Sequence, residues 1–252
     1  MNPGNFTLSV VSHGQLSLCM QLLEDLRNLN APLVGKVILT LNLPEPVPTL
    51  NQYPFEVQVL RNSYPKGFAE NHNHAFLYAK SEYFAVLNPD LRLERDPFGS
   101  LAKLLADRKV GVATPVVHEA DGSVADFARR LVTPGEILRR HLLRRRDRMA
   151  FDHPDWVAGM FLAFRHQTYS GLSGFDVRYQ LYCEDVDLCA RLRLRGLQVS
   201  VAQDASVTHH AQRASRRAPR PLFLNLSSLF KLWTSRTYKD YRTLLRDGPG
   251  QL

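Results

Sequence analysis

The chain has 252 residues, of which 44% are hydrophobic and 22% charged, and a formal net charge of +8; this excludes wholesale disorder and suits one large domain or two small ones. No apolar run approaches the roughly 18 residues that a membrane-spanning helix needs; the longest clear one runs from Trp156 to Phe164. Charge is uneven, with 10 Lys/Arg against 13 Asp/Glu in residues 1–128 and 22 against 11 in residues 129–252, so the second half points to an anionic partner.

The start, Met-Asn-Pro-Gly-Asn, has no basic stretch followed by an apolar core, and a secretory leader is not expected. Phe6 to Ser12 (FTLSVVS) is β-rich and strand-length. From Gln15 to Leu29, Leu16, Cys19, Leu22, Leu23, Leu26 and Leu29 recur at helical spacing. Val37 to Leu43 and Phe55 to Leu60 read as strands, Phe68 to Lys80 as a helix, and Tyr83 to Leu87 as a further strand. Strands alternating with helices imply crossover connections, hence an α/β fold with a mostly parallel sheet and helices on both faces.

Beyond this, Phe98 to Arg108 reads as a helix, Val110 to Val117 as a strand, and Glu119 to Ser123 as a turn. A basic stretch, Arg139 to Arg148, is a helix or a loop. Val157 to Arg165 reads as a strand, Glu184 to Arg195 as a helix, and Leu197 to Ala202 as a strand. The chain ends in a basic tail carrying one apolar stretch, Leu222 to Trp233, at helical spacing. Cys19, Cys183 and Cys189 cannot pair completely and lack zinc-ligand spacing, which fits a reducing compartment.

Four constellations carry candidate chemistry. Asn88-Pro89-Asp90 follows a buried strand; an acid at that edge of an α/β sheet can reach a cation, although Asn-Pro-Asp also favours a turn unaided. Glu184-Asp185-Val186-Asp187 opens a helix; acids suit that end for dipole reasons alone, yet an acid in an aromatic-lined cleft acquires a raised pKa suited to a general base. His209-His210 follows a strand, so one imidazole can face a site and act as a metal ligand while the other faces solvent. Finally, Asn62 through Lys66-Gly67, with Asn71 and Asn73 behind, is a turn opening a helix, a place for an anion. It has neither the glycines of a dinucleotide fingerprint nor a P-loop.

In their order along the chain these pieces resemble family 2 glycosyltransferases of GT-A fold, and among them bacterial rhamnosyltransferase-like members. The resemblance runs through Ser12-His13, Asn62, Gly67-Phe68, Asn73, Asn88-Pro89-Asp90, Asp121-Gly122 before Arg129-Arg130, Val157-Ala158-Gly159-Met160 and Gly174-Phe175-Asp176. It is most specific in Glu184-Asp185-Val186-Asp187-Leu188 with Arg191 and Gly196, followed by Val207-Thr208-His209. It implies that Asp90 and His209 hold a divalent metal (Mg2+ or Mn2+), with Asn88 beside them, and that Asp185 is the catalytic base. It implies that Ser12, His13, Asn42, Asn62, Lys66, Gly67 and Asn73 bind the donor, with Asn42 standing where the family usually has an acid. The small residue expected after Asn73 is Ala75 rather than Gly.

The resemblance thus implies a GT-A catalytic domain over residues 1–212 and a basic helical extension over 213–252. It implies an inverting transfer of a sugar, L-rhamnose, from a nucleoside diphosphate donor to a cell-surface polysaccharide or lipid-linked glycan. The donor is dTDP-L-rhamnose, with a UDP-sugar the alternative. The expected setting is cytoplasmic, peripheral on the inner membrane, with Arg213, Arg216, Arg217 and Arg220 facing an anionic bilayer. Two rival readings are a nucleic-acid- or anion-binding α/β protein and an inactive transferase-like scaffold subunit. The first finds no helix-turn-helix, zinc finger or basic-aromatic RNA motif, and the acids at 184–187 would repel phosphates; no nucleic-acid partner is expected. The second is opposed by the presence of Asp90, Asp185 and His209 together.

Overall fold

The computed structural model describes residues 4–131, 154–210 and 219–247, with side chains from 219 to 226 left aside. The basic stretch Arg139 to Arg148 and the arginines at 213, 216 and 217 lie outside the described residues, as does the side chain of Arg220.

The β-branched run Phe6–Ser12 forms strand β1, and the leucine-patterned segment Leu16–Asn28 forms helix α1. Val34–Leu41 (β2) and Glu56–Arg61 (β3) follow, then Phe68–Phe76 (α2), Tyr83–Leu87 (β4) and the two-residue Leu91–Arg92 (β5). Phe98–Ala106 is α3, Val110–Glu119 is β6, and Ala128–Arg129 (β7) pairs with Trp156–Val157 (β8) in a small ladder. Phe161–Arg165 (β9) and the short helix His166–Gly171 (α4) lead to Glu184–Leu194 (α5), Gln198–His209 (β10), Pro219–Thr234 (α6) and Arg236–Asp247 (α7).

The main sheet has eight strands in the order β3-β2-β1-β4-β9-β6-β10-β5. Neighbours in β3-β2-β1-β4 are parallel, as are β6 and β10, while β9 is antiparallel to both β4 and β6. Strand order reverses at β1, with β2 on one side and β4 on the other, which makes the crevice beyond their carboxyl ends the expected ligand position. Helices cover both faces. Ser9 Oγ and the buried His72 Nδ1 of α2 are hydrogen-bonded at 2.8 Å, whereas Phe6 packs its ring on Phe98 of α3 at 5.1 Å. Residues three apart on a strand point to opposite sides, so α2 and α3 lie on opposite faces. The core between them is continuous from Phe6, Leu8 and Val10 through Phe84, Phe161 and Phe164 to Val199 and Val207.

Several boundaries differ from the sequence reading. The strand expected over Val157 to Arg165 is two strands, because the chain turns at Gly159–Met160 and Met160 accepts a hydrogen bond from the Asn88 amide at 2.9 Å. The helix expected to reach Lys80 ends at Phe76. The strand expected to stop at Ala202 continues to His209 across a register shift between Ala202 and Ser206. The tail holds two helices rather than one; α7 buries Tyr238 and Tyr241 against α5-side residues Cys183, Val186 and Ala190 in a second apolar cluster. No described helix is long and apolar enough to cross a membrane.

Candidate active site

The predicted residues gather beyond the carboxyl ends of the parallel strands. Ser12 ends β1, Asn42 follows β2, Asn62 follows β3, Asn88 follows β4, and His209 ends β10. Met160 reaches the same edge because β9 runs the other way.

At the switch point a closed polar network joins three loops. Asn42 Nδ2 donates to Lys66 O at 2.9 Å and contacts His13 Nδ1 at 2.9 Å, while its Oδ1 accepts from Asn62 Nδ2 (2.8 Å) and the Lys66 amide (2.7 Å). The second proton of Asn62 Nδ2 goes to Asn71 Oδ1 at 2.7 Å, and Asn71 Nδ2 donates to Gly67 O at 2.9 Å. Asn42 is 4% exposed, so each of these bonds satisfies a group that burial would otherwise penalise. Ser12 Oγ donates to the Glu45 carboxylate and accepts the Gln15 amide at 3.0 Å. Glu45 with Arg61 and Asn62 lines a hollow of about 430 Å³ beside this network. Two larger hollows, about 990 and 870 Å³, open at the opposite end of the sheet and contain none of the predicted residues.

The Asp90–His209 pair is made by pairing across β5. β10 runs antiparallel to β5 with His209 opposite Leu91, and the His210 amide donates to Asp90 O at 2.9 Å. Asp90 Oδ2 and His209 Nε2 stand 3.2 Å apart, and Glu119 Oε2 lies 3.8 Å from His209 Nδ1. Asp90 Oδ1 is buried with no hydrogen-bond partner among the described residues. A buried carboxylate oxygen in want of a partner beside an imidazole suits a cation of the Mn2+ type, since carboxylates favour Mg2+ and Mn2+ and imidazole favours softer ions. Among the described residues no three His, Cys, Asp or Glu side chains form a metal site by themselves. Asp90 and His209 are thus the two side chains that could hold such a cation.

Asp185 sits in the first turn of α5, where acids are favoured by the helix dipole. Its Oδ2 accepts the Gly159 amide at 3.0 Å and its Oδ1 the Val186 amide at 2.8 Å. Burial raises its pKa above the ordinary carboxylate value, with those two amides drawing it part of the way back. The neighbouring Glu184, 5% exposed, is held well above the usual range by burial and then by the Asp185 charge. Asp187 instead pairs with Arg191 Nε at 2.7 Å, and Arg191 Nη1 donates to Leu172 O and Gly174 O, so the third acid of this cluster braces the loop.

The loop before α5 is held in a costly shape. Tyr182 and Cys183 have φ of +69° and +70°, each costing about 1–3 kcal/mol for a non-glycine residue. The neighbouring carbonyls are tied from two sides: Gln180 O accepts the Phe68 amide at 3.1 Å, Leu181 O the Ser228 hydroxyl at 2.9 Å, and Arg178 O the Lys231 ammonium at 2.9 Å. Gly67 permits the first contact, since a Cβ there would lie 2.8 Å from Gln180 O. Phe175 and Tyr179 are buried beside the acids' helix, while Tyr182 is 41% exposed.

The structure thus brings together His13, Asn42, Asn62, Lys66 and Gly67, with Ser12 beside Glu45, and separately pairs Asp90 with His209. Asn73 does not join the polar network: its Oδ1 accepts from Tyr169 Oη (2.7 Å) and the Phe175 amide (2.9 Å), and its Nδ2 donates to Phe175 O (2.8 Å). Asn71, two residues earlier on α2, takes that place. The sequence pattern does not mark Glu45 or Glu119 as site residues. Glu45 lies three positions past Asn42 in a proline-rich run, where an acid looks like part of a loop, and only the fold returns it to Ser12.

A family model described as Glycosyl transferase family 2 matches residues 40–168. The chain is 26% identical over 166 residues to Rhamnosyltransferase WbbL of Escherichia coli (strain K12), covering 60% of this chain and 63% of that protein. It is 30% identical over 156 residues to an N-acetylglucosaminyl-diphospho-decaprenol L-rhamnosyltransferase of Mycobacterium tuberculosis (strain CDC 1551 / Oshkosh), covering 55% of this chain and 50% of that protein. The matches therefore span between half and two thirds of these relatives' length. Among solved structures, GalNAc-T7 with UDP, GalNAc and Mn2+ aligns with a TM-score of 0.62 at 16% identity, over 96% of this chain and 48% of that one; this is a likeness of fold.

Proposed function

The chain belongs to glycosyl transferase family 2 and has the GT-A fold, and on that premise we propose that it is a metal-dependent, inverting glycosyltransferase. It moves L-rhamnose from dTDP-L-rhamnose to a cell-surface or lipid-linked glycan; a UDP-sugar is the alternative donor. The observation that carries this is the meeting of the Asn42–Asn62–Lys66 network, the Asp90–His209 pair and Asp185 along one edge of the sheet. The choice of sugar rests on the two relatives, both of which are named as rhamnosyltransferases.

Ser12, His13, Asn42, Asn62, Lys66 and Gly67 bind the nucleoside end of the donor, in and beside the hollow that Glu45 lines. Pro89 stiffens the approach to Asp90, Asn88 joins the donor-binding residues with its amide held by Met160 O, and Asn73 serves the site by holding the Phe175 loop. Asp90 and His209 hold Mn2+ or Mg2+, which when bound stabilises the negative charge developing on the departing diphosphate. Asp185 removes the proton of the acceptor hydroxyl as that oxygen bonds to the anomeric carbon and the bond to the diphosphate breaks. A single displacement inverts the anomeric configuration and needs one carboxylate, unlike glycoside hydrolysis, which uses two flanking the scissile bond. The Gly159 and Val186 amides keep that carboxylate aimed, and its raised pKa makes it a better proton acceptor.

We read residues 1–212 as the catalytic domain and 213–252 as a basic helical extension. The extension docks on the catalytic domain through Leu232, Tyr238 and Tyr241, which pack on Cys183 and Val186. Residues 213–252 carry 9 Lys/Arg against 2 Asp/Glu, and Phe230 on α6 is 69% exposed. The extension accordingly attaches the enzyme to the anionic cytoplasmic face of the inner membrane, at about 1 kcal/mol per basic residue near the surface. A thermal-shift panel of nucleotide sugars, each with and without Mn2+, tests the donor class. A ligand of the native state raises the midpoint, so dTDP-L-rhamnose with Mn2+ should give the largest rise; equal shifts for all donors would reject that choice.

A further inference from the structure

We propose that Glu119 is a positioning residue for His209, set in place by the Asp121–Gly122 turn; the inference rests on the reading of Asp90 and His209 as metal ligands. β6 and β10 run parallel with Glu119 opposite His209 in register. Two carboxylates therefore address the two ring nitrogens of one imidazole: Asp90 Oδ2 at 3.2 Å from Nε2 and Glu119 Oε2 at 3.8 Å from Nδ1.

The backbone of Glu119 is clamped on both sides of its Cα. Its amide donates to Ser123 O at 2.7 Å and its carbonyl accepts the Gly122 amide at 2.9 Å. Gly122 has φ of +80°, which glycine adopts without strain, and Asp121 Oδ1 accepts the Ser123 amide at 3.0 Å. The turn thereby fixes where the Glu119 side chain leaves β6.

An imidazole that gives its Nε2 lone pair to a metal must carry its proton on Nδ1. A carboxylate facing Nδ1 favours that tautomer, orients the ring and raises the basicity of the ligating nitrogen. At 3.8 Å the attraction is that of a carboxylate charge for the N–H dipole and not of a formed hydrogen bond. Asp90 keeps Oδ1 for the metal, since that oxygen has no described partner. Loss of such a partner lowers metal affinity about 10- to 100-fold.

The test is titration of the full chain with Mn2+ in the presence of thymidine diphosphate, following free Mn2+ by electron paramagnetic resonance. Glu119→Ala should weaken Mn2+ binding about 10- to 100-fold and Glu119→Gln by less, because the amide oxygen can still face the Nδ1–H as an acceptor. Metal-free Tm and metal-free thymidine diphosphate affinity should stay at wild-type values. Wild-type Mn2+ affinity in Glu119→Ala overturns the inference alone, with the metal reading still upheld if Asp90→Ala and His209→Ala lose the ion. A loss in Glu119→Gln as complete as in Asp90→Ala makes Glu119 a ligand and overturns the positioning role, as does a metal-free Tm that falls in both Glu119 variants. A wild type that takes up no Mn2+ overturns the metal reading together with this inference.

Discussion

The Gly159 amide donates to Asp185 Oδ2 at 3.0 Å, tying the first turn of α5 to the turn between β8 and β9. Val186 holds the other carboxylate oxygen at 2.8 Å, so the carboxylate is oriented by two backbone donors before any substrate arrives. Such preorganisation is what a base needs if its lone pair is to meet the acceptor proton without reorganisation.

Asp185→Asn should therefore lower kcat by about 10²–10⁴-fold, the usual range for a general base. Donor affinity, measured by calorimetry with Mn2+ present, should stay within about twofold, because the base acts on the acceptor and contributes no donor contact. A loss of turnover below tenfold would reject the role.

The pH profile follows from the same carboxylate. Burial raises the Asp185 pKa, and only the ionised form accepts a proton. On the acid side kcat/KM should fall with an apparent pKa above the ordinary Asp value near 4. An acid limb at or below that value would contradict the assignment.

Glu184 gives a stability prediction with a defined sign. Its pKa is raised well above the unfolded value by burial and then by the Asp185 charge, so the native state binds more protons than the unfolded state. The stability this group contributes is full below the unfolded pKa, near 4, and is lost as pH rises through the native pKa. Glu184→Gln cannot ionise, so its Tm relative to wild type should climb between pH 4 and pH 8. A constant difference across that range would show that the charge is not penalised.

Asn42 is not exchangeable for the acid that the family resemblance leads one to expect. In Asn42→Asp an oxygen would replace Nδ2 and face the Lys66 carbonyl, now 2.9 Å from that nitrogen. Turning a buried donor into an acceptor opposite a carbonyl should cost about 1–3 kcal/mol, read from the denaturant midpoint at unchanged m-value. The donor KM should rise as well, since His13, Asn62 and Lys66 all hang on that side chain.

The extension should bring the full chain down with anionic liposomes at low salt and release it at high salt. Arg216→Glu, Arg217→Glu and Arg220→Glu together should abolish co-sedimentation. Binding unchanged by that triple substitution would reject the attachment.

Much of the scaffold was legible because local pattern and tertiary role agree. β1, β4 and α1 show it: short β-rich runs, and leucines at helical spacing that the fold buries. Where pattern and role part, the reading stopped short. β10 looked finished at Ala202 because Gln203 and Asp204 are polar, yet the strand resumes after a register shift and carries His209 to Asp90. α7 was hidden because its buried face is two tyrosines among Arg, Lys and Asp. At the candidate site, motif order pointed to Asp90 and His209, which stand 3.2 Å apart, and to Asp185, whose role belongs to the proposal. Asn71 for Asn73, Glu45 at Ser12 and Glu119 at His209 were not legible, since each depends on which side chain a loop or register turns toward a distant partner.

The most direct test of the central claim is nuclear magnetic resonance of the product formed by the full chain from dTDP-L-rhamnose, Mn2+ and a short-chain N-acetylglucosaminyl-diphospho-lipid acceptor. The expected result is a new glycosidic bond whose anomeric configuration is opposite to that of the donor, formed by the wild type, suppressed by EDTA and nearly absent with Asp185→Asn. A product of retained configuration, or transfer that proceeds undiminished in EDTA and in Asp185→Asn, would contradict it.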